Sequence, residues 1–74
     1  MERLRLTALI EADETGYVAL CPELDVASEG ETVEEARANL TEALELFFEA
    51  ASPTEVAHRL RRDVFVTSVE VSVG

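Results

Sequence analysis

Ser28-Glu29-Gly30-Glu31-Thr32-Val33-Glu34-Glu35-Ala36 is the stretch on which the fold turns, because one periodicity ends there and another begins. Before it, apolar residues alternate with polar ones, the period of a half-buried strand. After it they recur at steps of three and four, the period of a helix. The joint is a capping box. The Thr32 hydroxyl is placed to accept from the N–H of Glu35, and the Glu35 carboxylate to reach back to the N–H of Thr32. Glu34 and Glu35 also suit the positive end of a helix macrodipole. Gly30 lies two residues before the cap, where the chain must swing from strand to helix. A positive φ is the expected reason for a glycine there.

Downstream, Val33, Ala36, Leu40, Ala43, Leu44 and Phe47 form one apolar stripe, wide enough to cover a sheet, on a helix running to about Ala51. Glu34, Glu42, Glu45 and Glu49 fall away from it. A second capping box opens at Ser52, with Pro53 at the first helical position and Glu55 three residues after the cap. That short helix should run to about Arg62, burying Val56 and Leu60. Residues 64–73 then alternate again: Phe65, Val69, Val71 and Val73 against Ser68, Glu70 and Ser72. This predicts a last strand.

Upstream, Leu4, Leu6, Ala8 and Ile10 share one face of a strand from about Arg3 to Ala12. Asp13-Glu14-Thr15-Gly16 is a turn, with Gly16 able to supply a positive φ. Tyr17–Cys21 is the return strand, ended by Pro22, which has no N–H for a ladder. A third short strand is expected near Val26-Ala27-Ser28. The order is β-β-β-α-α-β. A right-handed crossover would bring the last strand beside the first, giving a two-layer α+β domain with sheet order 3-2-1-4 and helices on one face.

The 74 residues carry 16 acids against six arginines and a formal charge of -10. Lysine is absent, and the acids spread from Glu2 to Glu70. Such a surface repels phosphate backbones and anionic membranes, so neither nucleic acid nor a membrane is an expected direct partner. A basic protein is. No apolar run reaches the eighteen or so residues of a membrane span. The N-terminus has no apolar signal block, and the single cysteine suits a reducing compartment, so a cytoplasmic location is expected.

Little in the sequence speaks for catalysis, and no cofactor is expected. Cys21 has no evident base and reads as a small buried hydrophobe. His58, the only histidine, has no second ligand at metal spacing. Glu34 with Glu35, or Glu42 with Glu45 and Glu49, supplies the acids that hold Mg²⁺ in nucleases. On one helix they read as a solvated face.

Taken in order, Tyr17-Val-Ala-Leu-Cys-Pro22-Glu-Leu, Ser28-Glu-Gly30-Glu-Thr32-Val-Glu-Glu35-Ala36 and Asn39-Leu40-Thr-Glu-Ala43-Leu44 resemble the HicB-like antitoxin family over about Leu4 to Ala51. The resemblance implies a partial ribonuclease-H-like fold without nuclease activity. It also implies a partner, a small basic toxin of the HicA type that cleaves messenger RNA and is covered by the antitoxin. Two departures stand out. Where the family often continues Pro-Gly-Cys after the Pro-Glu-Leu, this chain has Asp25-Val26-Ala27. Many members also add a C-terminal DNA-binding domain, whereas a single domain over residues 1–74, without autoregulation, is expected here.

The leading expectation is thus a toxin-neutralising binding module. The alternatives are an orphan homo-oligomeric structural module and a metal-dependent nuclease. A homodimer is expected in either of the first two cases, with the edge strand Val64–Val73 pairing with its own copy. Val64, Val66, Ser68 and Glu70 would then lie at the interface.

Overall fold

The computed structural model describes residues 3–74 and contains three strands followed by two helices: β1 (Leu9–Ala12), β2 (Tyr17–Cys21), β3 (Val26–Gly30), α1 (Val33–Ala50) and α2 (Pro53–Leu60). The strands form an antiparallel meander in the order β1-β2-β3. Leu9 pairs with Leu20 and Ala12 with Tyr17, and Tyr17 in turn pairs with Gly30 and Cys21 with Val26. This register puts Ile10, Tyr17, Ala19, Cys21 and Val26 on the face that α1 covers.

The core is small. Ala19, Cys21, Leu24, Ala36 and Leu40 are buried, and Leu6, Ile10, Tyr17, Leu44, Phe47 and Phe48 pack around them. The helical stripe read from the sequence is the packed one, except that Val33, at its start, is 41% exposed. Phe47 and Phe48 meet edge to face, with centroids 5.5 Å apart. Leu24 is the largest fully buried side chain, and it comes from the turn between β2 and β3. Burying a leucine contributes about 1.5–3 kcal/mol, so this turn is part of the core.

Both helix starts are capped as expected. The Glu35 N–H donates to Thr32 Oγ1 at 3.0 Å, and the Glu55 N–H to Ser52 Oγ at 3.1 Å. The return halves of the boxes differ. The Glu35 carboxylate accepts from the N–H of Glu31 rather than Thr32, and the Glu55 carboxylate turns to Arg59 at 3.4 Å.

Several expectations are corrected. The expected sheet order 3-2-1-4 gives way to β1-β2-β3, because residues 62–74 form no ladder within the described chain. α2 ends at Leu60 rather than Arg62 and does not lie over the sheet, so the expected crossover that would return the chain beside β1 is not made. Arg59 Nη1 donates to the Leu24 carbonyl at the β2–β3 turn, and its guanidinium stacks 5.2 Å from the centre of the Phe47 ring. This anchors α2 at one end of the sheet, and the chain beyond it runs free. Only α1 therefore forms the helical layer.

The first strand is also shorter than expected, because Pro22 turns β2 away after Cys21 and leaves residues 3–8 without a ladder partner. The third strand is longer, reaching Gly30. Neither Gly16 nor Gly30 has a positive φ; among the described residues the one that does is Asp25, at φ 57° in the β2–β3 turn. Aspartate tolerates this region better than most side chains.

Candidate functional site

The hairpin turn after β1 and the joint between β3 and α1 face each other across an open groove. Its lining is acidic: Asp13, Thr15, Tyr17, Glu29, Glu31 and Glu35. Local chemistry builds both walls. Asp13 Oδ1 accepts from the N–H groups of Thr15 and Gly16 at 2.9 and 2.8 Å, closing the turn. Across the groove, Glu35 Oε1 accepts from the Glu31 N–H at 3.0 Å. The Glu29 and Glu31 carboxylates make no hydrogen bond among the described residues, so they offer their charge to solvent or to a partner. Glu34, in the first turn of α1, adds a further acid at this end of the molecule. The sequence showed these acids but not their meeting, since Asp13 and Glu31 lie 18 positions apart.

At the opposite end, Glu23 forms a clamp. Thr7 Oγ1 donates to Glu23 Oε2 at 2.7 Å, and the Thr7 N–H is shared between the two carboxylate oxygens at 3.2 and 3.1 Å. The Cys21 thiol donates to Glu23 Oε1 at 3.5 Å. Partial desolvation works against the charged carboxyl. The Thr7 hydroxyl, the N–H groups of Glu23 and Thr7, and the Cys21 thiol outweigh it and hold the Glu23 pKa below the ordinary carboxylate value. Cys21 goes the other way: burial pushes its thiol up, with the neighbouring Glu23 carboxylate adding to the shift. A protonated, buried thiol is no nucleophile near neutral pH.

The remaining candidates fall apart in space. His58 is exposed on α2, and Glu42, Glu45 and Glu49 are exposed on α1. Among the described residues, no three His, Cys, Asp or Glu side chains converge to hold a metal ion. Val64, Val66, Ser68 and Glu70 lie on the arm that follows α2, where Val64 is half-buried and the other three are exposed. No helix among the described residues is long and apolar enough to cross a membrane.

Fold and surface together define a small acidic α+β domain built from a β-meander under one long helix. Over 68 residues the chain is 34% identical to the UPF0150 protein of Helicobacter pylori (strain J99), a match covering 90% of this chain and 94% of that protein. It is 47% identical over 49 residues to UPF0150 protein ssl0738 of Synechocystis sp., covering 64% of this chain and 68% of that protein. The chain belongs to the UPF0150 family. No family profile matches it, and no solved structure does.

Proposed function

We propose that this chain is an antitoxin-type binding module that neutralises a small, basic, mRNA-cleaving toxin of the HicA kind, acting in the cytoplasm and without catalysis of its own. The observation that carries this reading is the acidic groove. Asp13, Glu29, Glu31 and Glu35 line it on a chain of net charge -10. A toxin that binds RNA must present a cationic surface, and carboxylates held at a rigid joint can occupy that surface in place of phosphates. The HicB-like pattern over Leu4 to Ala51 supports the same choice of partner.

The decisive experiment uses the basic protein of about sixty residues expected from a neighbouring gene, a length typical of a minimal domain. Its cleavage of RNA is followed as this chain is added. Inhibition should be complete at equimolar amounts, and Glu29→Lys with Glu31→Lys should abolish it while the fold persists. Undiminished cleavage at a tenfold excess would overturn the reading. This chain alone, with RNA and Mg²⁺, should leave the RNA intact; cleavage that disappears on Glu→Gln substitution would establish the nuclease alternative instead.

A further inference from the structure

We infer that residues 64–73 act as a fourth strand for a second copy of this chain, adding to the free edge of its β1 in a reciprocal exchange of arms. The first observation is area. The chain exposes 6274 Å². A folded protein of its mass, 8.1 kDa, exposes about 4,500 Å². The excess, about 1,800 Å² per chain, exceeds the roughly 800 Å² that each partner gives to a standard stable interface. The radius of gyration of 14.5 Å agrees, against about 11 Å for a compact chain of this length.

The excess has a location. Phe65, Val66, Val69, Val71 and Val73 are 62–92% exposed. Residues 64–73 are rich in β-branched and aromatic side chains, with Phe65, Val69, Val71 and Val73 on one face. This is the composition of a strand that packs on a sheet. In its own chain the arm pairs with no edge, since residues 62–74 form no ladder there. A second copy carries the same arm and the same vacant edge, so a two-fold exchange satisfies both at once.

The edge it fits is that of β1. The edge of β3 lies under α1, and Asn39 Nδ2 already donates to its Glu29 carbonyl at 2.8 Å. The β1 edge is uncovered, since α1 only grazes that strand. Residues 3–8 continue it past Leu9 with no strand beside them, so the run 3–12 matches the arm 64–73 in length. Charge agrees as well. The arm carries one acid, Glu70, and residues 3–8 carry Arg3 and Arg5, a basic spot on an otherwise acidic chain. Pairing there avoids the repulsion that two chains of charge -10 meet elsewhere.

The test is sedimentation equilibrium of the full chain at 1–100 μM, a range that spans ordinary dimer affinities. A species of twice 8.1 kDa is expected. Val66→Lys with Val71→Lys should raise the dissociation constant at least about tenfold. Both positions are exposed, and the helical circular dichroism should not change. Isotope-filtered NOEs on a mixed-label dimer should connect residues 64–73 of one chain to 3–12 of the other. A wild-type monomer throughout the range overturns the inference. So does a dimer indifferent to the two lysines, or one whose arms contact each other instead of β1. None of these outcomes bears on toxin inhibition.

Discussion

Gly16 lies so close to the carbonyl oxygen of Gly30 that a Cβ on Gly16 would overlap it. The crowding continues one layer further. A Cβ on Gly30 would stand 2.5 Å from the N of Ala36 and 2.8 Å from the C of Glu35, inside the first turn of α1. The hairpin turn, the end of β3 and the start of α1 are thus stacked backbone on backbone. This contact sets the width of the acidic groove, because Asp13 belongs to the first of these layers and Glu35 to the last.

Gly30→Ala tests that stack. The neighbours are backbone atoms of a capped helix and cannot swing aside as a side chain would. Overpacking of this kind costs about 1–3 kcal/mol, so the urea midpoint should fall clearly. Gly16→Ala should act in the same direction. An unchanged midpoint for both would mean that the layers are not in contact.

The Thr32 cap is a smaller and independent contribution. Thr32→Ala should cost on the order of 1 kcal/mol, and Thr32→Ser should restore most of it. Thermal melts followed at the helical band would register the difference.

Glu23 predicts an acid limb. Its folded pKa is below its unfolded value, so the folded state binds fewer protons than the unfolded chain in that range. Its contribution is therefore present above the ordinary carboxylate value and is lost as pH falls through the lowered, folded one. Glu23→Gln should destabilise the protein at pH 7, and the gap to wild type should close as pH falls from the ordinary carboxylate value through the lowered, folded one. Chemical denaturation across that range gives the curve. A gap that widens toward low pH would rule out the Thr7 clamp.

Arg59 holds α2 through the Leu24 carbonyl, the Phe47 ring and Glu55. The guanidinium is about a third exposed, so its loss should act locally rather than unfold the domain. Arg59→Ala should speed amide exchange across residues 53–60 while protection in α1 persists. Loss of protection in both helices together would show that α2 is integral to the core.

The two helix starts, the helical stripe and the hairpin were legible in the sequence because each rests on residues within about four positions of one another. Thr32 finds Glu35, Ser52 finds Glu55, and Ala36, Leu40, Leu44 and Phe47 line up by helical geometry alone. The acids of the groove were visible but their meeting was not, since it depends on how the hairpin lands on α1. Both glycines were read as φ devices, whereas Gly16 is crowded by the Gly30 carbonyl 14 positions on and Gly30 by the first turn of α1. Leu24, which lies outside every periodic pattern, is core. The alternation of residues 64–73 was also plain, yet a strand exists only where a neighbour offers it N–H and C=O groups. Residues 62–74 meet no such neighbour in their own chain. The seat of α2 is equally non-local: Arg59 reaches 35 positions back to Leu24, a contact that no local pattern encodes.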